Sequence, residues 1–174
     1  CLAGGWYRRP VSIDMQIVGD EEHYSLKPAD VAVPHGWTRY YTIDDDGLSQ
    51  SWEGERVWCN PPFGREAIKW LRRMAEHGNG IALIPARTET AMFYETVWGV
   101  ANAICFLKGR PHFHYVDGRR AAANSGAPIS LIAYGAQNAL VLRNSGLGFV
   151  FALRRLSTAK RLAPELRQIG RASC

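Results

Sequence analysis

Short apolar runs alternate with amphipathic segments along much of the chain. The apolar runs have the length of strands and are bounded by polar residues, glycine or proline. The predicted strands are residues 11–18, 57–59, 81–84, 103–107, 129–134 and 146–153. Strands that alternate with helices are typical of a parallel sheet with helices on its faces. The pattern therefore predicts an α/β fold with a mostly parallel sheet flanked by helices.

Two segments have the periodicity of helices. Ile68 and Leu71 lie on one face of a helix predicted over residues 65–77, and a glycine follows as a natural stop. A second helix is predicted over residues 88–99, with Thr88 as its N-cap. Both helices follow predicted strands, as an α/β fold requires.

Length and composition are those of one folded domain. The chain has 174 residues, of which 47% are hydrophobic, enough for a single core but short for two. Residues 20–50 are polar and contain Pro28, Pro34 and Gly36, which predicts a long connection with short local structure. No stretch has the length and hydrophobicity of a membrane span, and no secretory leader is visible, so we expect a cytoplasmic protein.

The cysteine and histidine positions do not predict a metal site. Cys1, Cys59, Cys105 and Cys174 are widely spaced and form no CxxC pair, which favours reduced thiols over zinc ligands. The two histidines that flank Phe113 lack further ligands in register, so we expect them to be edge-strand residues. We therefore expect no metal cofactor.

Positive charge is concentrated at the C-terminal end. The net charge is +5, and residues 154–174 contain six Lys or Arg side chains against one acid, Glu165. Such a segment is either a basic arm that lies along phosphates or a terminal helix whose apolar residues pack loosely on the body. We therefore divide the chain into a domain at residues 1–153 and a basic tail or helix at residues 154–174.

The tetrapeptide Asn60-Pro61-Pro62-Phe63 carries the clearest chemical signal. It stands between a predicted strand and a predicted helix, where ligand sites lie in open α/β sheets. The Asn60 side-chain oxygen and the Pro61 carbonyl are adjacent acceptors that suit both hydrogens of an exocyclic amine, and the prolines stiffen the turn. Phe63 offers a face for a planar base. These features predict an amine-methylation site; the alternative is a strand-ending turn with Phe63 in the core.

Several motifs, taken in order, resemble the phage-type DNA N6-adenine methyltransferases, the Dam-like family. The matching segments are Arg39-Tyr-Tyr-Thr42, Asp44-Asp-Asp-Gly-Leu48 with Trp52, Val57-Trp-Cys-Asn-Pro-Pro-Phe-Gly64, Leu83-Ile-Pro-Ala-Arg-Thr88, Phe106-Leu-Lys-Gly-Arg110 and Ser125-Gly-Ala-Pro128. The resemblance implies a Rossmann-like class I methyltransferase fold. Because the family usually has more chain ahead of its first strand, we expect a version shortened at the N-terminus.

The resemblance also implies roles for the tetrapeptide and a methyl donor. Asn60 and the Pro61 carbonyl would accept hydrogen bonds from the adenine N6 amine, within a turn that Pro62 helps to stiffen. Phe63 would stack on an adenine flipped out of double-stranded DNA. The methyl donor would be S-adenosylmethionine.

Two acids are the candidates for binding this donor. The acidic position after the family's first strand falls on Asp14, for which the alternative is a surface acid beside a strand. Asp46 lies a short way before the tetrapeptide, where relatives place an acid or amide near the adenine of the cofactor. Its alternative is a turn residue in an acidic run.

Four residues that follow strand ends are the candidates for binding DNA. Arg87 and Thr88 follow one predicted strand, and Lys108 and Arg110 follow another. This is the side of an α/β sheet where ligands bind, so we expect contacts with phosphates or with the flipped nucleotide. The alternative is that these cations simply face solvent.

The sequence thus predicts a DNA adenine-N6 methyltransferase in the cytoplasm of a bacterial host cell. Two alternatives stay open. The two acceptors also suit a ribosomal RNA guanine-N2 or protein glutamine methyltransferase. The second alternative is a relative that binds nucleic acid through its basic tail without catalysis.

Overall fold

The computed structural model describes residues 10–13, 39–41, 45–113 and 120–154. These ranges contain one seven-stranded sheet and three helices, none of them long and apolar enough to cross a membrane. The strands are β1 Pro10–Ile13, β2 Arg39–Tyr40, β3 Arg56–Cys59, β4 Gly80–Pro85, β5 Ala103–Leu107, β6 Ile129–Tyr134 and β7 Gly148–Ala152. The helices are α1 Ala67–His77, α2 Ala91–Thr96 and α3 Ala136–Asn144. Every strand except β2 overlaps a predicted one.

Strand direction divides the sheet into two halves. The strand order is β2-β1-β3-β4-β6-β5-β7. The first four strands are parallel, whereas β6 is antiparallel to both β4 and β5, and β7 is antiparallel to β5. The α/β prediction is confirmed, but a parallel, Rossmann-like sheet is confirmed only for the first half. The described part of the β5–β6 connection contains no helix, and β6 turns back beside β5 as an antiparallel partner.

Five strands run in the same direction and finish at the same end of the sheet; β2 is one of them, because it pairs in parallel with β1. β1 and β3 pair in parallel with Ile13 opposite Cys59, so these two strands finish level with each other. β4 is parallel to β3, and β5 has the same direction because β6 is antiparallel to both β4 and β5. We call this the carboxyl end of the sheet, meaning the end where Ile13, Cys59, Pro85 and Leu107 finish their strands. Ligands usually bind at this end of α/β sheets.

Helix α1 packs one apolar face on the sheet. Its buried side chains are Ala67, Trp70, Leu71 and Met74, which recur with helical spacing. The helix ends at Gly78, whose φ of 70° lets its N–H donate to the Met74 carbonyl. The predicted helix and its glycine stop are confirmed, and α1 begins slightly later than predicted.

Helix α2 is capped by Thr90 and not by Thr88. The Thr90 backbone is extended, with φ −78° and ψ 153°, and its Oγ1 accepts a hydrogen bond from the Phe93 N–H at 3.4 Å. The Thr88 carbonyl instead accepts a hydrogen bond from Trp98 Nε1 at 2.9 Å. The prediction of the cap was wrong because either threonine has the required hydroxyl. The distance from each hydroxyl to the first unpaired N–H groups of the helix decides which threonine is the N-cap.

Helix α3 is absent from the sequence-based prediction. Its buried side chains are Asn138 and Leu142, so the segment lacks the apolar stripe that identifies a surface helix. Asn138 Nδ2 donates to the Tyr134 carbonyl at 2.7 Å and to Asn79 Oδ1 at 3.0 Å. A buried asparagine therefore attaches α3 to the end of β6 and to the residue before β4, a contact that a hydrophobic pattern does not reveal.

Apolar side chains cover both faces of the central strands. Ile84 and Ile104 belong to the cluster that also contains residues of α1 and α2. Leu83 and Cys105 belong to the cluster on the opposite face, which includes Leu142 of α3. Neighbouring residues of one strand thus point to different faces, and both faces are buried. This double burial explains why these strands appear in the sequence as continuous apolar runs.

Gly80 permits a close approach of β3 and β4. A Cβ atom at Gly80 would lie 2.2 Å from the Val57 carbonyl oxygen. We expect Gly80→Ala to lower the free energy of unfolding by about 2–3 kcal/mol, because the strands must move apart. Gly54→Ala is the control, since Gly54 has φ +74° and open space around it. Its cost should be about 1 kcal/mol of left-handed backbone strain. Chemical denaturation measures both, and equal losses would contradict the steric explanation.

Candidate active site

Asn60 begins the turn that follows β3 at the carboxyl end of the sheet. The residue is half-buried, while its Oδ1 atom is buried and has no hydrogen-bond partner. Buried side-chain oxygens are usually paired, because an unpaired acceptor has lost its hydrogen bonds to water. An unpaired acceptor at the end of a parallel strand suits an N–H donor that comes from a bound molecule.

Two prolines hold the turn after Asn60 in one conformation. Pro61 is buried and Pro62 is half-buried, and each ring restricts its backbone φ angle. Neither proline has an N–H, so these two positions add no backbone donor that would compete for the Asn60 oxygen. The turn can therefore present two acceptors, Asn60 Oδ1 and the Pro61 carbonyl, to a group that carries two N–H hydrogens.

Phe63 lies directly after this turn and is half-buried. One part of the side chain packs on the apolar cluster that includes Leu83 and Cys105. The ring also meets the Phe113 ring in a nearly perpendicular arrangement, with a centroid distance of 6.1 Å and an interplanar angle of 76°. Phe63 therefore contributes to the core and is still partly exposed; the stacking of a base on its ring stays a prediction.

Arg87 and Thr88 follow β4, the strand beside β3, at the same end of the sheet. The segment is held close to β6, because the Ala86 N–H donates to the Pro128 carbonyl at 2.8 Å. Arg87 is exposed, and Thr88 is half-buried with its carbonyl bonded to Trp98. Arg87 thus follows its strand at the end of the sheet where Asn60 lies, and its role in binding DNA stays a prediction.

Lys108 and Arg110 follow β5 at the carboxyl end, and both are exposed. Arg110 Nη1 donates to the Gly126 carbonyl at 2.9 Å, across the connection between β5 and β6. This bond gives Arg110 a structural contact that the sequence did not predict. The Lys108 backbone N–H donates to the Leu147 carbonyl at 3.0 Å, and its role in binding DNA stays a prediction.

Of the two acids predicted to bind the methyl donor, the structure describes only one. Asp14 lies outside the described residues, directly after β1, whose last residue is level with Cys59. Asp46 is an exposed turn residue with φ 42°, and its carbonyl accepts hydrogen bonds from the Ser49 N–H at 2.8 Å and from Ser49 Oγ at 2.9 Å. Its geometry fits the turn role considered for it, and its exposed carboxylate remains accessible.

Metal-ligating side chains do not assemble in the described part of the chain. No group of three or more His, Cys, Asp or Glu residues is close enough there to hold a metal ion. His112 Nδ1 lies 3.0 Å from the Ala121 carbonyl, so a protonated Nδ1 donates to it and joins the two sides of the β5–β6 connection. The second histidine beside Phe113 lies outside the described residues.

Cys59 directly precedes Asn60 but is not suited to act as a nucleophile. Its side chain is fully buried, and this burial raises the pKa of the thiol. A thiol that stays protonated and inaccessible is a poor nucleophile. The chemistry available at this turn is therefore hydrogen-bond acceptance by Asn60 and Pro61 and stacking on Phe63.

Phe113 was not among the predicted site residues, although it contacts Phe63 from the β5–β6 connection. The two residues are far apart in sequence, and no spacing rule links them. The signal available was the alternation of Phe113 with two histidines directly after a strand, which was interpreted as an edge strand.

Comparison with known proteins gives one finding. A family model described as DNA N-6-adenine-methyltransferase (Dam) matches residues 7–138. This range begins well before the motifs at residues 39–134 and includes Asp14, the Asn60 turn and most of the sheet. No curated protein and no solved structure matches the chain.

Burial of Cys59 and Tyr134 predicts a loss of stability at alkaline pH. Burial raises the pKa of both groups, so the folded protein keeps protons that the unfolded chain releases above about pH 9 for the thiol and about pH 10 for the tyrosine. The unfolded state then binds fewer protons, and the free energy of unfolding falls as pH rises, by at most about 1.4 kcal/mol per pH unit and group.

Chemical denaturation between pH 7 and 11 measures this fall. Cys59→Ala should make the decline above pH 9 shallower, and Tyr134→Phe should do so above pH 10. Tyr134→Phe also removes the hydrogen bond from the tyrosine hydroxyl to the Thr96 carbonyl, so its comparison uses the slope and not the absolute stability. Slopes identical to that of the wild type would contradict the prediction.

Proposed function

Because the chain belongs to the DNA N-6-adenine-methyltransferase (Dam) family, we propose that it transfers a methyl group from S-adenosylmethionine to the N6 amine of adenine in double-stranded DNA. The observation that carries this proposal is the buried Oδ1 atom of Asn60, which has no hydrogen-bond partner. An adenine amine has two hydrogens and no formal charge. Two neutral oxygen acceptors therefore suit this amine better than they would suit a positively charged ligand.

Asn60 and Pro61 act on the amine by positioning and polarising it. Asn60 Oδ1 accepts one N–H and the Pro61 carbonyl accepts the other, which keeps the nitrogen from rotating. Electron density that the ring would otherwise share becomes available on the nitrogen. The stiff turn at Pro61 and Pro62 holds both acceptors in place before the base arrives, so little ordering is left to the moment of binding.

The order of the strands supports a binding site for the methyl donor beside this turn. β1 lies next to β3, and its last residue, Ile13, is level with Cys59, so the chain leaves β1 level with the end of β3 that leads to Asn60. Asp14 follows β1 in the sequence and is the proposed partner for the donor, together with the exposed carboxylate of Asp46. S-adenosylmethionine supplies a methyl group on a sulfonium that is already a good leaving group.

Phe63 is the proposed surface on which the target adenine stacks. An adenine inside a duplex is paired and stacked, so it must be flipped out before its amine reaches Asn60. Stacking on an aromatic ring is worth about 1–3 kcal/mol per base, which offsets part of the cost of unstacking. Phe63 is adjacent to the acceptors in sequence, and its partly exposed ring can serve in this way.

Cations at the carboxyl end of the sheet would hold the DNA backbone. Arg87 and Lys108 are exposed there, and Thr88 and Arg110 lie beside them. The basic segment at residues 154–174 is a further proposed contact, although apart from Arg154 it lies outside the described residues. By its resemblance to phage-type enzymes, we infer that the protein works in the cytoplasm of a bacterial host cell.

Replacing Asn60 tests the proposed reaction. Labelled S-adenosylmethionine is incubated with unmethylated DNA, RNA and protein, and the label is located by nucleoside or amino-acid analysis. We expect label on N6 of adenine in DNA. Asn60→Ala should reduce the rate roughly 100-fold or more, because an acceptor that stabilises the reacting group is lost. Asn144→Ala is the matched control, since Asn144 is exposed at the end of α3.

The distribution of label separates the candidate functions. Label found on RNA or protein but not on DNA would move the assignment to a guanine-N2 or glutamine methyltransferase. No label on any substrate, with nucleic acid still bound, would favour the non-catalytic relative. Full activity of Asn60→Ala on DNA would remove Asn60 from the mechanism.

The salt dependence of DNA binding tests the phosphate contacts. Each phosphate contact adds close to one to the slope of log K against log salt concentration. We expect Arg87→Ala and Lys108→Ala each to reduce this slope by about 1 and to weaken binding to all sequences alike. Arg72→Ala is the control, because Arg72 is already paired with Glu95. Unchanged slopes in the first two variants would show that these cations only face solvent.

A further inference from the structure

Phe113 lies where it can determine the orientation of the Phe63 ring. The two rings are nearly perpendicular at 76°, with centroids 6.1 Å apart, which is a favourable edge-to-face arrangement. Both side chains are half-buried and pack on the same apolar cluster. We propose that Phe113 is a positioning residue, which fixes the plane of Phe63 so that a flat base stacks on it at a defined angle. This inference rests on the proposed function.

Phe113 can fix another ring only if its own backbone is held. The Ala121 N–H donates to the Phe113 carbonyl at 2.8 Å, and His112 Nδ1 lies 3.0 Å from the Ala121 carbonyl. Further along, the Ser125 N–H donates to the Pro111 carbonyl at 2.9 Å. Three consecutive residues that end at Phe113 are therefore hydrogen-bonded to the part of the β5–β6 connection that leads back to β6.

Arg110 adds a side-chain bond to the same connection. Its Nη1 donates to the Gly126 carbonyl at 2.9 Å, and the Gly126 N–H in turn donates to Asn124 Oδ1 at 3.1 Å. The connection is also bonded to the residue directly after β4, since the Pro128 carbonyl accepts from the Ala86 N–H. Through this chain of bonds, the position of Phe113 is tied to the strand beside the one that leads to Asn60.

The consequence for the substrate follows from geometry. A perpendicular Phe113 ring can cover at most one face of Phe63, so the other face is free of it. The angle of that face decides the plane of a stacked base, and hence whether both amine hydrogens point at Asn60 and Pro61. A Phe63 ring that turns freely would still bind a base, but it would present the amine in the correct direction for less of the time.

A double-mutant cycle tests this proposal. Phe113→Leu keeps an apolar side chain on the cluster and removes the ring, and Phe63→Leu does the same on the other side. We expect Phe113→Leu to lower kcat/KM for methyl transfer to DNA roughly 3- to 10-fold, the range of an aromatic pair. In the Phe63→Leu background, the same change should have less than about a 2-fold effect, because no ring is left to orient.

Two further variants separate positioning from general stability. Phe113→Tyr keeps the ring and should retain activity within about 2-fold of the wild type. Phe151→Leu removes one ring of a similar pair, Phe106 with Phe151, whose centroids are 6.0 Å apart at 77°. Phe151 lies on β7, away from the Asn60 turn, so this control should leave kcat/KM unchanged.

The outcomes distinguish this inference from the proposed function. An equal loss from Phe113→Leu in both backgrounds, or no loss in the wild-type background, would overturn the positioning role and leave the methyltransferase assignment intact. Failure of the wild-type protein to methylate adenine in DNA would overturn the proposed function and this inference with it. Coupling between the two substitutions, with activity retained by Phe113→Tyr, supports both.

Discussion

The parallel register of β1, β3 and β4 is the constraint on which the rest of the molecule depends. The β3–β4 part of this register is held at the start of β4, where Gly80 lies against the Val57 carbonyl and the Val57 N–H donates to the Asn79 carbonyl at 3.0 Å. Val57 and Cys59 are fully buried on β3. A slip by one residue would turn both side chains to the opposite face, so the register is strongly specified. Once it is fixed, the ends of the three strands are fixed too, and Asn60 follows directly.

The positions of most strands could be predicted from the sequence, but their directions could not. Strands that are buried on both faces appear as continuous apolar runs, and such a run looks the same whether it is parallel or antiparallel. β4 and β6 are both of this kind, yet they run in opposite directions beside each other. Helix α3 could not be predicted for a related reason. Its attachment depends on Asn138 and its two hydrogen bonds, which leave no apolar periodicity.

The candidate site contains both contacts between consecutive residues and contacts between segments that are far apart in sequence. The position of the Asn60 turn after β3 could be predicted because its parts are consecutive residues with known backbone chemistry. Its role as a site stays a prediction, which the unpaired oxygen supports. The contact of Phe63 with Phe113 and the bond from Arg110 to Gly126 join distant segments. No single-sequence pattern encodes them. Arg110 shows the limit most clearly: an exposed arginine after a strand was expected to bind phosphate, and the fold also uses it to hold a connection.

The antiparallel half of the sheet gives the site a part that a fully parallel sheet would lack. β5 ends at the carboxyl end, and β6, being antiparallel, starts there. The β5–β6 connection therefore begins and finishes at the same end of the sheet as the Asn60 turn. A parallel β6 would start at the opposite end, and its connection would have to cross the sheet. The reversal that the sequence did not predict is thus what brings Phe113 to Phe63. In the proposed function, the parallel half would supply the acceptors for the amine, and the antiparallel half would support the ring on which the base would lie.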